Sequence, residues 1–477
     1  MADTGRGAPK LHSHAARGNE EAHTVRSLIL ACTSLLLAAC TGAPERHPQD
    51  TGVAAPMHWS VAATHLDDDA PQHWVTAFAH PALSALVDEA LQHNYDLQAA
   101  AARVAAAAAQ ARIEGAGRWP QLAFAPGYQR QRDGLLDPSE SGGFSALFDL
   151  SWELDLWGRI RAGQRAARQT ARAAQAELRG ARLSLAARTA QTWFELAEAQ
   201  AQVEVAGQSA RDRRTIADLI RERFQRGLAM GLDLRLARTD QANAEAQLAD
   251  AKNRAQASAR RLELLLGRYP AAGIAAADGL PEPPAALTAG LPAQLLERRP
   301  DLNAAFQRLL AADSRLDSAQ KALLPRITLT AAGGSAGAAP ADLADPRAAA
   351  WNLALGLAQP LFAGGRLHGE IERSSVVSDA ALADYRQTAL NAFREVELAL
   401  AAEQRLREQE AALREAVAQT KASRERALYA YQHGFIQILT LLDSYRSALD
   451  AQSAHLAVRR QLLDNRVNLY LALGGDA

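Results

Sequence analysis

One unit is written twice in this chain. The stretch "NYDLQAAAARVAAAAAQARIEGAGRWPQLAF", from Asn94, runs alongside "RPDLNAAFQRLLAADSRLDSAQKALLPRITL", from Arg299, and sets Asp96 against Asp301 and Pro120 against Pro325 at an offset of 205. Further on, Gly158 and Arg159 match Gly365 and Arg366, Gly227 matches Gly434, and Gly267 matches Gly474, all at an offset of 207. With so little drift, whatever the first copy folds into, the second must fold into as well. The chain therefore reads as a first repeat over 82–270, a Pro-rich linker over 271–291 containing "EPPAALTAGL", and a second repeat over 292–477.

Each copy carries the same order of periodicities. An Ala-rich helix, about 82–115 and 292–322, runs into a proline and a strand; a loop rich in Gly, Pro and Asp leads to a second strand. In "FSALFDLSWELDL" the even positions Ala146, Phe148, Leu150, Trp152, Leu154 and Leu156 are apolar, while the odd ones include Ser145, Asp149, Ser151, Glu153 and Asp155. That alternation is the period of a strand with one wet and one apolar face. Strands are expected over 121–131 and 144–155, and in "ITLTAAG" and "WNLALGL" of the second copy. After Gly158 the pattern changes: the chain turns Arg- and Ala-rich and meets no proline until Pro270. Leu382, Tyr385, Ala389, Phe393, Val396 and Leu400 recur at helical spacing on one face. The 67 residues from Gly158 to Phe224 make a helix of roughly 100 Å at 1.5 Å per residue. A compact domain has no use for such a length; a span across a wide aqueous gap does. The aromatic share of 5% within 48% hydrophobic residues fits close-packed Ala-rich helices rather than a bulky core.

The strands have about the length that crosses a bilayer when tilted. Four strands cannot close alone, and an open edge in lipid leaves backbone groups with no partner. The barrel must therefore be shared between chains. In that arrangement Asp149, Ser151, Glu153 and Thr328 face water in the lumen, and Phe148, Leu150, Trp152 and Leu329 face lipid. Trp119, Trp152, Trp157 and Trp351 fall in or at the ends of strands, where an aromatic girdle belongs.

The N-terminus carries an address. Arg26 precedes an apolar run from Leu28 to Ala39. The run is too short for a permanent spanning helix and has the dimensions of a signal-peptide core. It ends in Leu37-Ala38-Ala39-Cys40, which resembles the cleavage site of bacterial lipoproteins. Residues 1–39 are read as the signal peptide, with Val25 an alternative start, and 40–81 as an acylated N-terminal segment on Cys40. A plain secretory signal is the competing reading. Of the two cysteines, Cys32 would leave with the signal, so the mature chain has no disulfide and no thiol chemistry.

Other classes find little support. A formal net charge of -1 gives no reason to expect nucleic acid. No Walker motif, HExxH or nucleophile elbow occurs, and "FAGGRLHGE" lacks the lysine and spacing of a phosphate loop. Neither enzymatic activity nor a cofactor or metal is expected. A periplasmic coiled-coil scaffold lipoprotein would explain the helices but leaves four two-faced strands without a role.

The twofold repeat, "SWELDLWGRIR", "LFAGGRL" and "YQHGFIQILTLLD" together resemble the TolC-like outer-membrane efflux proteins, and among them the NodT-type lipoproteins of RND multidrug efflux systems. The resemblance covers essentially everything from Cys40 onward. It implies an α+β membrane protein: a homotrimer whose chains each give four strands to a twelve-stranded outer-membrane β-barrel, continued by a long α-helical periplasmic tunnel. It implies as partners outer-membrane lipid, a periplasmic adaptor and an inner-membrane RND-type pump, and as function a passive exit duct for drugs or other toxic small molecules. Ducts for type I protein secretion or metal efflux remain as alternatives. The family's adaptor-docking turns correspond to Gly227 and Leu228 and to Gly434 and Phe435, with Arg226 and His433 replacing the family's usual valine. Its gate corresponds to Tyr431 and Asp443, with Ile436 at a position often acidic or amide in relatives.

Overall fold

The computed structural model describes residues 46–60, 74–133, 139–276, 279–284 and 292–475. The signal peptide and Cys40 lie outside the described residues. In chain order the principal elements are α1 (Pro81–His93), α2 (Tyr95–Ala116), β1 (Gln121–Asp133), β2 (Ser139–Leu154), α3 (Arg159–Gln225) and α4 (Gly231–Leu265). The second copy follows with α5 (Pro292–Arg298), α6 (Pro300–Lys321), β3 (Arg326–Gly337), β4 (Ala349–Ala358), α7 (Arg366–Gln432) and α8 (Ile438–Leu473). The repeat is thus structural as well as sequential. α3 and α7 each contain 67 residues, matching the expected length.

The compact units cut across the repeats. One, built on Glu114–Gln164 and Ser314–Ser374, holds all four strands; the other, built on Pro48–Ile113, Arg165–Asp313 and Ser375–Ala477, is helical. In the first unit the strands form one antiparallel sheet in the order β1-β2-β3-β4. The two hairpins are joined by β2 and β3, with Trp152 opposite Leu329 and Glu153 opposite Thr328. The switch from strand to helix after β2 is made at Gly158, whose φ of +78° only glycine adopts easily. The Asp155 carboxylate then accepts from the backbone N–H groups of Ile160 and Arg161 at 3.0 and 2.8 Å, satisfying donors that the first turn of α3 leaves open.

The helical unit departs from expectation in one respect: the first helix of each copy is broken. In copy one the break is at Asn94, between α1 and α2; in copy two it is at Arg299, between α5 and α6. The physical reason is the same in both. Asn94 stays extended (ψ 125°), accepts from Leu97 N–H at 3.1 Å as an N-cap, and donates to the Leu265 carbonyl at 3.0 Å. Arg299 precedes a proline, which disfavours helical ψ, and donates to the Ala472 carbonyl at 3.0 Å. Each break thus satisfies a carbonyl at the end of that copy's own return helix. Gly267 and Gly474, both at φ near +72°, make the approach possible: a Cβ on Gly267 would stand 2.7 Å from His93 O. Around these joints sits the main core, where Trp74, Phe78, Leu83, Trp193, Phe194 and Tyr470 are buried together.

Candidate functional site

The sheet is sorted by face. Through the pairing register, Leu122, Phe124, Phe148, Leu150, Trp152, Leu329, Leu353 and Leu355 share one side. Asp149, Ser151, Glu153 and Thr328 all share the other, joined by Gln121, Thr330 and Asn352. The four residues singled out for the wet side are therefore brought onto one face. Glu153 pairs with Arg159 at 2.8 Å. On the apolar side, Tyr128 packs on Phe144 toward the β1–β2 loop and Phe124 on Phe148 nearer the middle. Trp152 lies at the other end, its indole donating to Arg118 O at 3.0 Å, and Trp157 donates to Pro325 O at 2.7 Å. Trp119 and Trp351 stand exposed. The apolar face is uncovered, as the exposure of Leu122, Phe124, Phe148, Leu353, Leu355 and Leu357 records. β1 and β4 are both outer strands, each paired on one side only among the described residues. No helix among the described residues is long and apolar enough to cross a membrane.

In the helical unit, the turns at Gly227 and Gly434 are built alike. Leu228 N–H donates to Arg223 O at 2.8 Å and Gly227 N–H to Phe224 O at 2.9 Å; Phe435 N–H donates to Ala430 O at 2.9 Å and Gly434 N–H to Tyr431 O at 3.1 Å. These are Schellman closures with glycine in the left-handed region, at φ +70° and +77°. Nothing lies within 4 Å of a Cβ built on either glycine. Chain reversal, not close backbone approach, is what they provide. Leu228 and Phe435, one residue on, are 64% and 75% exposed.

Tyr431 and Asp443 are placed differently. Tyr431 is buried in a core with Ile216, Ile220, Ala427, Ile438 and Leu441. Its ring lies 5.3 Å from the Arg223 guanidinium, and burial pushes its phenol above the ordinary range, against the pull of that cation. Asp443 is exposed and lines a groove of about 470 Å³ with Leu236, Thr239, Asp240 and Arg446. No hydrogen bond joins Tyr431 to Asp443 among the described residues. Ile436 packs at the edge of the same core as Tyr431.

A buried ionic knot beside this groove escaped the sequence reading. Asp240 of α4 pairs with the buried Arg213 of α3 and, at 3.3 Å, with Arg446 of α8. Next to it Arg424 of α7 pairs with Asp212 at 3.1 Å and lies 5.7 Å from the Tyr445 ring. The available signal was Asp240 at the same helical phase as the buried Ala237, Ala244 and Ala251 of α4.

Comparison with known proteins agrees with this geometry. The profile of the family described as outer membrane efflux protein matches twice, over residues 86–268 and 291–475, once for each repeat. The toluene efflux pump outer membrane protein TtgF of Pseudomonas putida is 34% identical over 422 residues, covering 87% of this chain and 88% of that protein. The cation efflux system protein CusC of Escherichia coli K12 is 30% identical, covering 94% of this chain and 99% of its own length. A crystal structure of a membrane protein from Pseudomonas aeruginosa superposes with a TM-score of 0.83 at 30% identity, over 91% of this chain and all of that one.

Proposed function

This chain belongs to the outer membrane efflux protein family, and from that membership we propose that three copies of it form the exit duct of a tripartite efflux pump. The observation that carries the reading is the four-stranded sheet, apolar on one face and polar on the other, with both edge strands open. In lipid such edges must be paired, and three chains closing edge to edge give a twelve-stranded barrel. Asp149, Ser151, Glu153 and Thr328 then line its lumen, and the apolar face meets lipid. Cys40 carries the acyl anchor. α3, α4, α7 and α8 form the periplasmic tunnel, whose turns at Gly227–Leu228 and Gly434–Phe435 receive a periplasmic adaptor coupled to an inner-membrane RND-type pump.

The chemistry asked of the duct is passive. It supplies a polar path and a closable end, while energy comes from the pump; the cargo is drugs or other toxic small molecules. TtgF and CusC are named for toluene and for cations, so a duct of this build serves different cargoes. Asp443 in three copies makes a ring of like charge at a constriction, which filters ions. Tyr431, buried beneath Arg223, holds the helices that carry the ring.

Planar-bilayer recording on the full-length oligomer tests the reading. Cation-selective channels are expected, with Tyr431→Phe plus Asp443→Ala raising conductance and lowering selectivity. Unchanged conductance and selectivity in that variant would remove these residues from the gate. Absence of any channel would remove the duct itself.

A further inference from the structure

The apolar face of the sheet changes character at one end. Followed through the register, its paired positions among the described residues carry charge at Arg130 and Arg132 of β1 and Glu140 of β2, and nowhere else. All three lie beside the β1–β2 loop, at the opposite end of β2 from the start of α3. Below them the same face runs Leu122, Phe124, Pro126, Tyr128 on β1 and Phe144, Ala146, Phe148, Leu150, Trp152 on β2. The other face is already polar there, with Gln129 and Gln131. A strand still inside lipid would have kept apolar residues at 130 and 132; both are arginines, and both are exposed.

The height of the change matters. Arg130 stands opposite Gly142, ten residues from Trp152 along β2. At about 3.3 Å per residue and a tilt of about 40°, ten steps rise about 25 Å, the height of the apolar band of an outer-membrane barrel. Trp152 therefore marks one edge of the band and Arg130 the other. Aromatic rings sit just below Arg130, with Tyr128 and Phe144 centroids 4.6 Å apart. The Tyr128 hydroxyl reaches up to the level of Gly142, 3.3 Å from where a Cβ on that glycine would be. Gly142 puts no side chain across from Arg130.

Long arginine stems lie along apolar surface while their heads reach the interface, and a guanidinium binds phosphate oxygens in pairs. In the shared barrel the helices extend into the periplasm, so this edge lies in the outer leaflet, whose lipids are phosphorylated glycolipids. We propose that Arg130 and Arg132, with the Tyr128 hydroxyl, bind the phosphates of a lipid A-type glycolipid against the outside of the barrel. Arg132 has a glutamate as its register partner, so Arg130, opposite a glycine, carries more of the attraction. The inference rests on the shared-barrel reading above and adds a ligand class and the residues that hold it.

Titrating the full-length oligomer in detergent with bis-phosphorylated lipid A, and counting bound lipid by native mass spectrometry, tests it. Arg130→Gln with Arg132→Gln should weaken binding roughly tenfold, and lipid A stripped of both phosphates should bind wild type as weakly. A second variant adds Gln129→Arg and Gln131→Arg, which keeps the net charge but moves it to the polar face; it should bind no better than the first. Undiminished binding by either variant, or by the stripped lipid, would overturn the site, and channels recorded from the same preparation would leave the duct standing. A wild-type chain that forms neither oligomer nor channel overturns both.

Discussion

Asp464 offers a test in which removing one partner of an ion pair should stabilise the protein. It sits on α8, facing α3, paired with Arg460 one turn away. Its Oδ1 is buried without a hydrogen-bond partner among the described residues. Burial is the largest influence on this carboxyl; Arg460 opposes it, while Glu195 and Glu198 of α3 add to it, and the result is a pKa pushed up to about 6 from 3.8. Arg460 is itself divided, its Nε 3.7 Å from Glu198. A group whose folded pKa exceeds its unfolded one contributes stability below the unfolded value and loses it as pH rises through the folded value. Here the loss falls between about pH 4 and pH 6–7, and at 1.36 kcal/mol per pH unit amounts to about 3 kcal/mol per chain. Asp464→Asn keeps the shape and abolishes the ionisation. Above pH 7 the variant should be more stable than wild type by about 2–3 kcal/mol per chain; at pH 4 the two should coincide. Helical ellipticity followed through guanidinium denaturation at pH 4, 5.5 and 7.5 measures it. A variant less stable at pH 7.5, or a difference that does not change with pH, refutes the reasoning, because the Arg460 pair would then outweigh desolvation.

Further outcomes follow from the packing. Leu150→Arg on the apolar face should cost about 2–4 kcal/mol per chain near mid-bilayer and reduce heat-modifiable barrel on gels, whereas Ser151→Arg on the opposite face should assemble nearly as wild type. Asp240→Asn leaves Arg213 buried without its counter-charge; a loss of about 3–5 kcal/mol should lower the guanidinium midpoint, and Arg213→Met with Asp240→Leu should recover most of it. Asn94→Ala removes an N-cap of about 1 kcal/mol and orphans the Leu265 carbonyl for about 1–3 kcal/mol more, read as faster amide hydrogen exchange at the start of α2 and the end of α4.

The sequence alone determined what is periodic and local. Alternation in "FSALFDLSWEL" is enough to make β2 a two-faced strand, because successive side chains on an extended backbone must point to opposite sides. The missing prolines let α3 and α7 run 67 residues each, and Gly158, Gly227 and Gly434 mark their ends because left-handed φ is tolerable for glycine. The repeat, visible as an offset, carried the symmetry of the whole. What it did not determine depends on partners distant in the chain. The break at Asn94 interrupts an otherwise helical run as its side chain reaches a carbonyl 171 residues away, and Arg299, whose break Pro300 already favours locally, reaches one 173 residues away. Arg213, Asp240 and Arg446 come from three helices and meet only once those helices pack. The family resemblance named Tyr431 and Asp443 together, and it is packing that sets one in a core and the other at a groove. Periodicity fixes which way a side chain points from its own element; only the tertiary structure decides what it meets there.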